Sequence, residues 1–154
     1  MKRDKSKTDI KPKADAAAPK GRNSKPLGRV LLVEDDPVLA MALEDAFLRS
    51  GTKDVVICPT MKATMAQLDE GPRPDAIVLD VHLADRSDGW AIAELVTMLG
   101  PKPPCIAFST GSPQDIPENI AAMGPVFEKP YDPDQLVTQL EQGAKRGLFA
   151  RLLG

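Results

Sequence analysis

Between Val30 and Phe127 the chain carries five short β-rich runs: Val30-Leu31-Leu32-Val33, Val55-Val56-Ile57-Cys58, Ala76-Ile77-Val78-Leu79, Cys105-Ile106-Ala107-Phe108 and Pro125-Val126-Phe127. Each is nearly continuous in apolar residues instead of alternating with polar ones. A strand of that kind must be covered on both faces, which is the condition of a parallel sheet enclosed between helices.

Helical periodicity fills the gaps between the runs. Leu39, Ala42, Leu43, Ala46 and Phe47 recur at i, i+3, i+4, i+7 and i+8, one face of a helix. Asp36-Pro37 gives that helix a capping acid and a proline at its first position, and Gly51 is its stop. Met61, Met65 and Leu68 mark a weaker second face with Thr60 as cap, and Ile92, Leu95, Val96 and Leu99 mark a third. Residues 112–123 are expected to hold a fourth helix, shortened by Pro113 and Pro117. Asp132-Pro133-Asp134-Gln135 opens a fifth, with Leu136, Val137 and Leu140 on its inner face. The alternation predicts an α/β fold, (βα)5: a doubly wound five-stranded parallel sheet with right-handed crossovers. Such sheets bind their ligands outside the carboxyl ends of the strands.

With 154 residues there is room for one such domain. The net charge of −2 hides an asymmetry. Residues 1–26 hold nine Lys/Arg and three Asp/Glu, whereas residues 27–154 hold eleven and nineteen. We read residues 1–26 as a disordered basic arm, 27–147 as the folded domain and 148–154 as a short tail. In the tail, Leu148, Phe149, Leu152 and Leu153 either extend the last helix or dock on a partner. A basic arm can contact nucleic acid or anionic lipid. Without an aromatic residue to stack on bases, nucleic-acid binding is expected only weakly, and a solubilising tail is the plainer reading. No apolar run approaches the ~20 residues of a bilayer span, so no membrane partner is expected. The first residues are charged and lack a secretory pattern, which points to the cytoplasm and to free thiols at Cys58 and Cys105. His82 is the only histidine, which leaves no zinc site.

The chemistry collects at the strand ends. The first run is followed by Glu34-Asp35-Asp36, the third by Asp80, the fourth by Ser109-Thr110-Gly111 and the fifth by Glu128-Lys129-Pro130. Carboxylates packed together raise one another's pKa. A hard divalent cation relieves that conflict, and Mg²⁺ takes oxygen ligands while keeping positions for water and phosphate. Asp80 then stays ionised and can act as a nucleophile, forming an acyl-phosphate. The Lys129 ammonium, the Thr110 hydroxyl and backbone N–H groups after Asp80 can share the charge of the transferring group. Each feature alone is commonplace, and the force lies in their order at successive strand ends.

In that order the motifs resemble the response-regulator receiver family, with its CheY-like, flavodoxin-like fold, over about residues 29–145. Val30–Asp36 resembles the first strand and acidic pair, Ala76–Asp80 the phosphoacceptor strand, Phe108–Gly111 the strand with the switch hydroxyl, and Phe127–Tyr131 the lysine-proline segment. The resemblance implies that Asp80 accepts the phosphoryl group. It implies that Asp35 and Asp80 bind Mg²⁺ directly, that Glu34 assists through water and that the His82 carbonyl is a third protein ligand. Thr110 and Lys129 would bind the phosphoryl group, with Lys129-Pro130 cis. Such a domain is a signalling module that promotes its own phosphorylation and dephosphorylation, not an ordinary enzyme. Its phosphoryl donor would be a histidine kinase or histidine phosphotransfer protein. Its output would be a downstream protein bound through the fourth helix, fifth strand and fifth helix, as switch, relay or phosphate sink.

Phe108-Ser109-Thr110-Gly111 and Lys129-Pro130-Tyr131 further resemble the subgroup nicknamed FATGUY, often single-domain and paired with HWE-type kinases. The chain departs from the family in two places. The loop Val81–Gly89 lacks the usual Met-Pro and reaches its glycine one residue late, and Val126 stands where many receivers carry an aromatic. The His82 imidazole lies beside the site, although the plainer reading uses only its backbone. Trp90 is core or a local reporter, and Tyr131 is packing. A haloacid-dehalogenase-type phosphatase needs a second Asp two positions after the first, where His82 stands. A pseudo-receiver would bind a partner without phosphorylation.

Overall fold

The computed structural model describes residues 25–83 and 102–153, with side chains as far as residue 144. The expectations for residues 1–24, for the loop from residue 84, for Trp90 and for the third helical face (Ile92 to Leu99) lie outside the described residues. Strands β1 (Arg29–Val33), β2 (Asp54–Cys58), β3 (Ala76–Asp80), β4 (Cys105–Thr110) and β5 (Val126–Glu128) form one sheet in the order β2-β1-β3-β4-β5. Every pairing is parallel. Helices α1 (Pro37–Arg49), α2 (Met61–Glu70), α3 (Glu118–Ala121) and α4 (Pro133–Leu153) are the helices among the described residues.

The apolar runs are covered on both faces, as their composition requires. Along β1 and β3, Leu31, Val33, Ile77 and Leu79 face one core with Met61, Phe108, Ile116 and Ile120. Val30, Leu32, Ala76 and Val78 face the other, with Leu43, Phe47, Leu136 and Leu140. Adjacent residues of one strand thus serve opposite layers. Strands β1 and β3 are buried throughout and β4 in all but its first residue, while the edge strands β2 and β5 are buried only in part.

Local signals explain the element ends. The Asp36 carboxylate accepts the Val38 N–H at 3.0 Å, and Pro37 opens α1. Gly51 follows the helix at φ 104°, a left-handed conformation that glycine adopts without a Cβ clash. The Thr60 hydroxyl caps α2 by accepting the Ala63 N–H at 3.0 Å. The Asp132 carboxylate accepts the Asp134 N–H at the start of α4.

Three sequence expectations need correction. Residues 112–123 do not form one helix. A single 3-10 turn, Pro113–Asp115, precedes the four-residue α3, because Pro117 lacks an N–H and restricts the residue before it. On α2 the inner positions are Met61, Thr64 and Leu68, and Met65 is exposed. Thr64 is tolerated inside because its hydroxyl donates to the Thr60 carbonyl at 2.8 Å. Finally, β5 begins at Val126, since Pro125 has no N–H to give to the ladder, although its carbonyl accepts from Phe108. Of the two thiols, Cys58 is buried and Cys105 half-buried, and neither is in a disulfide. Helix α4 runs on through residue 148 to Leu153.

Among the described glycines, Gly124 stands closest to neighbouring backbone. A Cβ there would lie 1.8 Å from the Ile106 carbonyl oxygen on β4. Gly124→Ala is expected to lower stability by about 1–3 kcal/mol, because backbone must move to admit the methyl group. Urea unfolding of the variant beside wild type measures this.

Candidate functional site

The winding reverses between β1 and β3, which opens a crevice at their carboxyl ends. Glu34 follows β1 directly, and its N–H bonds the Cys58 carbonyl at 3.2 Å, carrying the β1–β2 ladder one residue further. Asp80 is the last residue of β3. Glu34 and Asp80 are only 1% and 3% exposed, and Asp35 is half-buried. These three carboxylates each offer an oxygen within 4.8 Å of the others.

Lys129, just after β5, reaches into this cluster. Its Nζ stands 3.2 Å from Glu34 Oε1 and 3.4 Å from Asp80 Oδ2. Its backbone N–H donates to the Thr110 carbonyl at 2.8 Å, which ties the lysine to the end of β4, and Lys129-Pro130 is cis as expected. Thr110 is fully buried. Its Oγ1 accepts the Ser112 N–H at 2.9 Å, which leaves the hydroxyl hydrogen available to donate. The His82 N–H donates to Asp80 Oδ1 at 2.9 Å. The His82 residue is exposed between buried Val81 and Leu83, which fits a role through its backbone.

Burial and charge act together here. Burial pushes the Glu34 carboxyl up to about 7, with the Asp80 charge adding to it and the Asp36 N–H and Lys129 ammonium opposing it. Burial works against the Lys129 ammonium, but Asp80 and Glu34 outweigh it and hold the group above its ordinary value. Glu34 Oε2 accepts the Asp36 N–H at 3.0 Å, whereas the buried Oε1 faces the Lys129 ammonium. Three carboxylates whose oxygens lie this close together, an all-oxygen set, fit a hard divalent cation such as Mg²⁺. Glu34, Asp35 and Asp80 are the side chains that would hold it.

The structure therefore brings together Glu34, Asp35, Asp80 and Lys129 and places Thr110 on the neighbouring strand. It also shows a pair that sequence reading reduced to packing. The Tyr131 ring does pack at a tilt against Phe127, with centroids 5.5 Å apart, but its hydroxyl also pairs with the buried Ser109 hydroxyl at 2.8 Å. Burial raises the Tyr131 phenol, while the Ser109 hydrogen bond opposes that rise. The signal was the polar Ser109 at the end of an apolar run. Tyr131→Phe leaves Ser109 without its partner and is expected to cost about 1 kcal/mol, measurable by denaturant unfolding. Val126 is half-buried opposite Phe108, so no ring stands at that position of β5.

Fold and crevice together define a doubly wound α/β domain whose carboxylates, ammonium and hydroxyl gather at the carboxyl ends of its strands. The profile of the response regulator receiver domain matches residues 30–141, and the chain belongs to that family of two-component signalling modules. Solved structures share the fold. PhyR from Brucella abortus superposes with a TM-score of 0.69 at 24% identity, over 84% of this chain and 52% of its own. An anti-anti-sigma factor PhyR from Bartonella quintana gives 0.66 at 24%, over 80% and 50%. The receiver domain of Erythrobacter litoralis PhyR gives 0.63 at 25%, over 79% and 90%. The chain thus spans about half the length of the first two. A search of curated proteins gives no match. No helix among the described residues is long and apolar enough to cross a membrane.

Proposed function

We propose that the chain is a cytoplasmic response regulator that accepts a phosphoryl group on Asp80 from a histidine kinase or histidine phosphotransfer protein. The observation that carries this reading is the Lys129 ammonium set between buried Glu34 and Asp80. A carboxylate oxygen of Asp80 attacks the phosphorus of the donor phosphohistidine. The P–N bond breaks, its electron pair stays on the imidazole, and an acyl-phosphate forms on Asp80. The His82 N–H holds Asp80 Oδ1 in place during the attack. Lys129 releases its carboxylate partners to pair with a phosphoryl oxygen, and the Thr110 hydroxyl donates to another. Asp35, Asp80 and the His82 carbonyl, with Glu34 assisting, would hold Mg²⁺, and the cation would supply positive charge to balance the phosphoryl oxygens.

Helix α1 starts beside Asp35, and on it Val38 and Met41 are 76% and 64% exposed. These apolar side chains suit the seat of a donor helix. Val38→Asp with Met41→Asp is expected to slow transfer from the cognate kinase at least tenfold while leaving labelling by acetyl phosphate unchanged. The resemblance of Phe108–Gly111 and Lys129–Tyr131 to the FATGUY subgroup favours an HWE-type kinase as donor. Output runs through a protein bound on α3, β5 and α4, whose conformations phosphorylation would redistribute.

The direct test is incubation with acetyl phosphate and Mg²⁺. One hydroxylamine-sensitive phosphoryl group per chain, absent with chelator, is the expected result. A folded chain that takes up none is a pseudo-receiver.

A further inference from the structure

Strand β4 and the segment after β5 each deliver a side chain to the crevice, and the ladder between them stops at the site. Thr110 lies opposite Glu128, and the Lys129 N–H reaches the Thr110 carbonyl at 2.8 Å. Pro130 follows with no N–H to offer, so the ladder goes no further. Beyond that point side chains take over. The Tyr131 hydroxyl turns back to the Ser109 hydroxyl at 2.8 Å. The two bonds close a ring through Ser109, Thr110, Lys129, Pro130 and Tyr131.

Ser109 stands beside Asp80 in the β3–β4 register and beside Phe127 in the β4–β5 register. It therefore shares the sheet face of Asp80, while Thr110, one residue on, takes the opposite face. Both residues are fully buried. A serine at the end of a strand otherwise filled by Ile106, Ala107 and Phe108 loses its hydration, and that is costly unless the hydroxyl is paired. Tyr131 supplies the pair. Burial is the main influence on the Tyr131 phenol, and after the Ser109 bond come the charges of Glu34, Lys129 and Asp80, so the phenol is within electrostatic reach of the crevice.

We propose, on the reading of Asp80 as phosphoryl acceptor, that Tyr131 is a positioning residue for the transfer. By holding Ser109 it fixes the end of β4 against the segment that carries Lys129. The Thr110 hydroxyl and the Lys129 ammonium then meet one phosphoryl group in a single geometry. Lys129 Nζ lies 3.2 Å from Glu34 and 3.4 Å from Asp80, and it gives up these partners when it turns to a phosphoryl oxygen. What holds its backbone in place at that moment is the Thr110 carbonyl and the Ser109–Tyr131 bond. Small displacements of groups that bind the transferring oxygens are costly in rate.

The test compares stability and rate in wild type, Ser109→Ala, Tyr131→Phe and the double variant. Each single change leaves one hydroxyl of the pair without its partner. The double change puts apolar groups of nearly the same shape on both sides, so its thermal midpoint should return toward that of wild type. The rate of labelling by acetyl phosphate with Mg²⁺ should not return. It is expected to fall roughly fivefold in all three variants, because each lacks the same bond, while Mg²⁺ affinity, set by the carboxylates, stays as in wild type. A double variant that labels at the wild-type rate would mean that the pair serves stability alone and would overturn the proposal. So would losses in the single variants that multiply in the double variant, or Mg²⁺ affinity that falls with the rate. Absence of label on wild type removes the acceptor reading and this role together, whereas labelled wild type with equally fast variants removes only the role of Tyr131.

Discussion

Asp80→Asn is expected to reduce phosphoryl incorporation from acetyl phosphate to background while the domain stays folded. The amide has the shape of the carboxylate but neither its charge nor its nucleophilic oxygen pair. Its carbonyl oxygen can still accept the His82 N–H that Asp80 Oδ1 now takes at 2.9 Å. Glu34, by contrast, loses the charge that helps hold its carboxyl near 7, so its titration should move toward the ordinary 4.5. Autoradiography or intact mass gives the first result, and carbon-detected NMR of the Glu34 carboxyl gives the second. Residual labelling of the variant at more than a trace would mean that another carboxylate of the cluster, Glu34 or Asp35, is the acceptor.

Glu34→Gln should stabilise the metal-free protein at pH 8 by on the order of 3 kcal/mol, and hardly at all at pH 4. The folded carboxyl titrates at about 7, above its ordinary 4.5. Below pH 4.5 both the folded and unfolded states carry the proton, and Glu34 imposes no penalty. As pH rises from 4.5 to 7 the unfolded state loses its proton while the folded state keeps it, so the folded state is progressively disfavoured. Above 7 the penalty is complete. A neutral glutamine escapes it. Urea unfolding of both proteins at pH 4, 6 and 8 gives the difference curve. Adding Mg²⁺ at pH 8 should stabilise wild type far more than Glu34→Gln, since the cation balances the charge whose burial costs stability. A difference that grows toward low pH would reverse the sign and remove Glu34 from the buried cluster.

Most of the architecture was legible because the apolar runs have a single physical use. Val30–Val33 and Ala76–Leu79 have no polar face to turn to water, so a sheet covered on both sides follows, and the observed layers divide those residues alternately. The carboxylate, hydroxyl and lysine positions were legible for the same reason, because strand ends of such a sheet converge on one crevice. The misreadings lie where local and tertiary preferences compete. Thr64 goes inside in place of Met65 because a helical hydroxyl can satisfy itself on the preceding turn. The segment after Thr110 breaks at Pro117, where periodicity alone suggests continuity. The Ser109–Tyr131 pair spans 22 residues of sequence, and no local pattern announces a bond between two hydroxyls from different elements. The rise of the Glu34 carboxyl to about 7 was likewise unreadable, since it depends on how completely the chain closes over that one side chain.

The most direct measurement of the central claim is amide NMR of wild type and Asp80→Ala with Mg²⁺ and beryllofluoride, a mimic of the bound phosphoryl group. The account predicts shifts at Asp80, Thr110 and Lys129 that require Mg²⁺, spread onto β5 and α4, and vanish in the variant. A folded wild type that binds Mg²⁺ and shows no response to the mimic at those residues would contradict it.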